Sequence, residues 1–266
     1  MPYIRTNLFR DGKKKAITMS YDDGRIFDER LIEIFNKYGF KGTFHVNSGR
    51  ILDKTYSPEK TAEIYAGHEL SVHTVTHPCL HELPENVLRD EITEDKRAIE
   101  RLCGYSVRGM SYPFGHFDDT IEKVAKECGI NYSRTTRSTN DFNPPKDFLA
   151  WHPTTHHNGN LDDLYSRFTA ERIDHVYNMP IFYIWGHSYE FNNDNNWDKM
   201  EEFCKKACGN NDVWYATNIE LYDYVTAVRR LEISADKTMI FNSSYIPVWV
   251  SVDGEAVKIN PGDNKL

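Results

Sequence analysis

Apolar and polar positions along the chain alternate between two periods. Short strand-like apolar runs are each followed by a stretch with helical spacing. Residues 16–21 (AITMSY) predict a strand, with Lys13 to Lys15 as its solvated lead-in. Residues 28–37 predict a helix with Leu31, Ile34 and Phe35 on one side, Asp28 as N-cap and Gly39 as its stop. A second strand follows at 42–47. A helix then opens at Ser57, which can cap with Pro58 at the first helical position. Residues 69–73 predict a third strand. Residues 84–103 predict a long charged helix with Leu88, Ile92, Ile99 and Leu102 aligned. Further strands are expected at 107–112 and 130–135, with a helix at 120–128 between them. The run 180–185 (PIFYIW) is apolar throughout, as expected of a strand buried on both faces. Helices are expected at 196–208 and 218–231.

This rhythm predicts an α/β fold, with a mainly parallel sheet and helices outside it. The last stretch changes character. Residues 248–252, then Asp253-Gly254, then 255–259, carry a hairpin signal. Residues 233–266 are therefore expected to form a small β appendage on a main unit of residues 1–232. Residues 137–160 are polar and contain prolines, and predict a large loop near the site.

Composition narrows the function classes. The chain has 266 residues, with 32 Lys+Arg against 40 Asp+Glu, a net charge of −8. That balance argues against general binding to nucleic acid or anionic membranes, both of which need a basic surface. No apolar run approaches the ~18 residues of a spanning helix. The first ten residues, MPYIRTNLFR, contain no apolar core of a secretion signal. The five cysteines show no paired CxxC module and read as reduced thiols. A cytoplasmic location is the expectation. Nothing in the sequence speaks to the oligomeric state.

Four short motifs carry candidate chemistry. Ser20-Tyr21-Asp22-Asp23-Gly24 ends the first predicted strand; its two acids point in different directions, so one can bind a metal while the other faces substrate. His73-Thr74-Val75-Thr76-His77 follows the third strand, and two imidazoles four apart can converge on one cation. One carboxylate with two histidines leaves room for water, the composition of an open catalytic site. Ser111-Tyr112-Pro113-Phe114-Gly115-His116 forms a loop after a strand. Ile184-Trp185-Gly186-His187-Ser188 places a histidine where a buried strand emerges, suited to proton transfer. Taken singly, each motif also fits an ordinary turn or a hydrogen-bonded histidine.

Together, over residues 16–190, the four motifs and their order resemble the polysaccharide deacetylases, carbohydrate esterase family 4 with its NodB homology domain. The resemblance implies a distorted (β/α) barrel of fewer than eight strands, with the site at the strand C-terminal ends. It implies Asp23, His73 and His77 as metal ligands, Asp22 as general base and His187 as general acid. The metal would be zinc, or another divalent ion such as cobalt. Tyr112, Pro113, Phe114 and Trp151 would face substrate or the oxyanion, with the Phe114 N–H helping to hold the latter. Two departures stand out. The family's third motif begins with an arginine that pairs with the catalytic aspartate, and here Ser111 stands there. Arg134, on the next predicted strand, is the expected substitute, ahead of Arg137. The acidic and aromatic support of the catalytic histidine has no clear match, and Trp151 and Asp147 are the candidates.

The reading is a metal-dependent hydrolase that removes acetyl groups from an N- or O-acetylated carbohydrate. A second reading keeps the fold and attacks a C–N bond in a small cyclic imide, ureide or other amide. A third is a non-catalytic sugar-binding homologue, against which the intact Asp22 argues.

Overall fold

The computed structural model describes residues 1–170 and 173–266. After the short strand β1 (Ile4–Arg5), the central sheet is built from β2 (Lys15–Asp23), β3 (Gly42–Val46), β4 (Glu69–Val72), β5 (Gly109–Ser111), β6 (Tyr132–Arg134), β7 (Thr155–His156), β8 (Ile181–His187) and β9 (Val213–Tyr215). Seven of these lie in the order β6-β5-β4-β3-β2-β8-β7, and every pairing is parallel. The eighth, β9, shares an edge of β2 with β3. It pairs with Lys15 to Ile17, while β3 pairs with Met19 to Asp23. The sheet is a curled, incomplete barrel, as the resemblance implies.

Helices α1 (Asp28–Tyr38), α2 (Pro58–Ile64), α3 (Glu85–Cys103), α4 (Asp119–Glu127), α5 (Leu161–Phe168), α6 (Ile173–Val176), α7 (Ser188–Asn193), α8 (Trp197–Ala207) and α9 (Asn218–Arg229) complete the α/β order. Ser57 caps α2 with Pro58 in its first turn, and Gly39 ends α1 at φ 73°, both as the sequence predicts. Asp28 does not cap α1. Phe27 holds that position, and Asp28 turns inward to accept bonds from Ser188 and Tyr65.

Alternation on β2 explains how one strand serves core and site together. Ile17, Met19 and Tyr21 join the main apolar cluster with Leu31 and Phe35 of α1. Thr18, Ser20 and Asp22 take the opposite face, where Thr18 donates to Asn218. All are buried, so the polar face is the barrel interior rather than solvent.

The 137–160 stretch is more than a loop. Trp151 bridges Arg134 on one side, and β7 pairs with β8 on the other. This segment brings the two edges of the curled sheet together. Strands as short as β7 (two residues) and β9 (three) leave no periodic signal.

Beyond α9, β10 (Glu232–Ile233), β11 (Met239–Asn242), β12 (Val248–Val252), β13 (Glu255–Ile259) and β14 (Gly262–Lys265) form two small sheets. The predicted hairpin is present as β12–β13, with Asp253 at φ 51° and Gly254 at φ 94° in its turn. The other edge of β12 pairs with β1, so the N-terminus is part of this layer. Val248, Val250 and Ile259 share an apolar cluster with Leu221 and Tyr224 of α9 and with Tyr183 of β8. Among the described residues no helix is long and apolar enough to cross a membrane.

Candidate active site

The strand ends deliver the motif residues to one place. Asp22 and His187 are register partners on the adjacent strands β2 and β8. Ser111 and Arg134 are register partners on β5 and β6. Asp22 is buried and accepts from Ser111 Oγ at 3.1 Å through Oδ1 and from Arg134 Nη2 through Oδ2. The arginine expected from the neighbouring strand therefore reaches the carboxylate. Its guanidinium is fully buried, lies 4.4 Å above the Trp185 ring, and also donates to Thr135 O. Burial alone would raise the Asp22 pKa. Arg134 foremost, then His73, His45 and His187, outweigh burial and hold it well below the usual carboxylate range.

Asp23 follows directly, but its backbone is left-handed at φ 77°. Aspartate tolerates that region better than most residues. Its carboxylate faces His73 and His77, and His73 Nε2 stands between the two acids, 3.8 Å from Asp22 Oδ2. Gly24, at φ 60°, passes so close to β3 that a Cβ there would sit 2.8 Å from the side chain of Val46.

Asp23 Oδ1 is 3.7 Å from His73 Nε2 and 3.7 Å from His77 Nε2. The three donor atoms lie within 4.8 Å of one another. His73 is fixed from behind, with Nδ1 2.9 Å from Ser111 O and 2.7 Å from Ser111 Oγ. Its backbone N–H donates to Asp95 at 3.0 Å, and Asn47 Nδ2 donates to His73 O and Thr74 O. Yet His73 Nε2 is buried and makes no hydrogen bond among the described residues. An orphaned imidazole nitrogen facing a carboxylate oxygen fits a metal ligand set of two nitrogens and one oxygen. Burial pushes the His73 pKa down to about 4, which keeps the ring neutral for such a bond.

The 111–116 loop divides into buried and exposed residues. Tyr112 and Pro113 are buried; Tyr112 donates to Leu149 O and stacks on Phe117. Trp151 is also buried, packed edge-on against Tyr132, Phe148 and Tyr183. The side chains of Tyr112, Pro113 and Trp151 are therefore core rather than substrate contacts, because the strand-end geometry turns them inward. Phe114 is the exception, 56% exposed at φ 59°, with its ring 4.6 Å from His77.

Neither Asp147 nor Trp151 supports His187. Asp147 accepts from Leu149 N and caps a short turn. The carboxylate beside His187 is Glu190, in the first turn of α7, with Oε1 3.4 Å from His187 Nδ1. Burial opposes charge on His187, but Glu190 and then Asp22 and Asp23 outweigh it and raise its pKa above the ordinary value. Glu190 Oε2 also accepts from the His187 backbone N–H, and lies 3.1 Å from His156 Nε2 and 3.3 Å from His157 Nε2. Sequence reading missed Glu190, His156 and His157, and also Arg50, whose Nη2 lies 3.0 Å from Asp23 Oδ1. The one available signal was Glu190 standing three residues after His187, the spacing of a capping pair, at a place where the sequence predicts no helix.

Residues 9–133 match the family model described as polysaccharide deacetylase. A chitin deacetylase of Cryptococcus neoformans is 29% identical over 127 residues, which is 47% of this chain and 26% of the fungal protein. A chitooligosaccharide deacetylase of Sinorhizobium fredii is 24% identical over 149 residues, 54% of this chain and 68% of that one. Among solved structures, a candidate polysaccharide deacetylase from Mycobacterium smegmatis aligns with a TM-score of 0.62 at 17% identity, covering 85% of this chain and 96% of its own. That likeness gives the fold. The matched stretch contains the Asp-Asp-Gly and His-x-x-x-His motifs and is similar to the family to which they pointed.

Proposed function

We propose that the protein is a metal-dependent deacetylase of an acetylated carbohydrate, with Asp22 as general base and His187 as general acid. The observation that carries this reading is the pairing of Asp22 with Arg134 and Ser111 beside an Asp23–His73–His77 donor set.

A divalent cation of the zinc class, bound by Asp23, His73 and His77, would polarise the acyl carbonyl and lower the pKa of a coordinated water. The remaining work belongs to the chain. Asp22, held ionised and fixed by Arg134 and Ser111, accepts the proton of the attacking water. The exposed Phe114 ring offers a flat apolar face at the rim, suited to a sugar ring. His187, its Nδ1 backed by Glu190, donates a proton from its other ring nitrogen to the departing amine or alkoxide. Acetate and the deacetylated sugar are the products.

The test is acetate release from a panel of acetylated sugars and small amides, with and without added Zn2+ or Co2+. Acetate from a sugar, dependent on the ion, supports the proposal. A ring-opened carboxylate from a cyclic imide or ureide, or ammonia from a primary amide, redirects it to C–N hydrolysis. Absence of turnover under all conditions supports a sugar-binding homologue instead.

A further inference from the structure

A second group of histidines and a carboxylate stands on the far side of His187, and the proposed reaction does not use its histidines. His156 and His157 leave β7 as adjacent residues, and Glu190 comes from α7. One ligand atom from each lies within 4.8 Å of the other two. We propose that His156, His157 and Glu190 form a second divalent-cation site, which ties the turn after β7 to α7 beside His187.

His157 makes the strongest argument. It is fully buried, and among the described residues neither ring nitrogen makes a hydrogen bond. A buried imidazole left unsatisfied is costly to the fold, because it has given up water without gaining a partner. Its ring is not free to turn away. It stacks against Phe191 at 4.1 Å and Tyr21 at 5.8 Å. It also presses on the backbone of β8, where a Cβ on Gly186 would lie 1.9 Å from His157 Nδ1. The fold therefore aims a desolvated nitrogen at Glu190 Oε2, 3.3 Å away, without completing a hydrogen bond.

The spacing suits an ion. Two ligands at about 2.1 Å from a tetrahedral centre stand roughly 3.4 Å apart. The Glu190 Oε2 separations of 3.1 and 3.3 Å from the two Nε2 atoms need only a few tenths of an ångström of adjustment. Two imidazoles and one carboxylate select a borderline cation such as Zn2+ over Mg2+ or Ca2+, which prefer oxygen alone. His156 and Glu190 are partly exposed, so solvent can reach the site and complete the coordination.

The consequence rests on the reading of His187 as the acid. Glu190 Oε1 faces His187 Nδ1, so an ion on Oε2 would fix the carboxylate that orients that imidazole. The site shares no ligand with the Asp23–His73–His77 set, so the two can be emptied one at a time.

The experiment is equilibrium dialysis of chelator-stripped protein against Zn2+, followed by elemental analysis. Wild type should hold two ions per chain. His156→Asn should hold one, and so should His73→Ala. Glu190→Gln, which keeps hydrogen-bonding capacity without the charge, should also hold one. A single ion in wild type that His73→Ala loses and His156→Asn keeps would overturn this proposal and leave the deacetylase reading standing. A single ion with the opposite pattern would uphold this site and overturn the metal assignment of the deacetylase reading. No bound ion in wild type would overturn both.

Discussion

Two clusters of the same composition flank the Asp22–His187 pair, and they are built differently. In the Asp23–His73–His77 cluster the donors stand 3.7 Å apart, beyond hydrogen-bond contact. That gap is held open from outside. Ser111 fixes the His73 ring, while Asp95 and Asn47 fix its backbone. In the His156–His157–Glu190 cluster the donors stand 3.1 and 3.3 Å apart around one oxygen. There the glutamate itself is the organiser, and it also holds the His187 backbone. A gap imposed by the scaffold is a site prepared for something absent from the chain. A gap nearly closed by its own members has two candidate occupants, a proton or a cation. The first cluster is thus expected to bind its ion more tightly than the second, and substitutions around each should separate in effect.

The largest effect should come from the residue between the clusters. Asp22→Asn should lower acetate release by roughly 10²- to 10⁴-fold, as expected for loss of a general base. Both clusters should keep their metal content in that variant. Loss of ion from the Asp23 set together with activity would show that Asp22 is itself a ligand.

Arg134 tests whether the scaffold of the first cluster depends on a buried ion pair. Arg134 is fully buried, and Arg134→Met leaves the Asp22 carboxylate without its guanidinium. Breaking a buried pair by removing one partner typically destabilises by about 3–5 kcal/mol. Urea unfolding should show a loss of that size. A change below about 1 kcal/mol would show that Ser111 and the nearby histidines suffice to hold Asp22.

Much of this arrangement was legible in the sequence, and the reason is geometric. Strand periodicity located β2, β4 and β8, and a motif that follows a strand directly inherits its position. Asp22, Asp23, His73, His77 and His187 all lie within a few residues of a strand end. Arg134 was found by the same logic, since a guanidinium can move from one strand to its neighbour and keep its level in the barrel. The parts that stayed hidden depend on contacts between distant segments. Glu190 and His157 are 33 positions apart and meet only because β7 pairs with β8. Arg50 and Asp95 look like surface charges until the loop after β3 and the buried side of α3 are in place. The burial of Tyr112 and Trp151 depends on which way a short strand end faces, and strands of two or three residues do not declare that.

A buried carboxylate away from both clusters supplies a control. Glu69 accepts from Tyr132, Thr43 and the Ile219 N–H, and burial raises its pKa from 4.5 to about 7. The folded state therefore keeps this proton over a range where the unfolded chain releases it. Its stabilising contribution is full below about pH 4.5 and is lost as pH rises toward 7. Glu69→Gln cannot titrate. The stability of the variant relative to wild type should therefore rise across that window and level off above it, read by urea unfolding at several pH values. A difference that does not vary with pH would place the Glu69 pKa near its ordinary value.

The smallest expected effect is the one that most sharpens the comparison between the clusters. Asp95 lies on the buried side of α3 with Leu88, Ile92 and Ile99, an acid where the helix pattern otherwise calls for an apolar residue. Its Oδ1 accepts from Ser48 N at 2.7 Å and its Oδ2 from His73 N at 3.0 Å. It thus joins the turn after β3 to the turn after β4 and fixes where His73 stands. Asp95→Asn keeps the shape and one acceptor oxygen, but sets an amide NH2 against one of the two backbone N–H groups. His73 should then lose its alignment rather than its place in the fold. Supporting groups of this kind are typically worth about 10-fold or more in metal affinity. Dialysis against graded Zn2+ should show about a 10-fold weaker first site in Asp95→Asn, while occupancy at the His156–His157–Glu190 set stays at its wild-type value, because Asp95 touches none of its members. Equal weakening at both clusters would mean that the variant has loosened the whole barrel, and that the outside support of the first cluster is not what distinguishes it from the second.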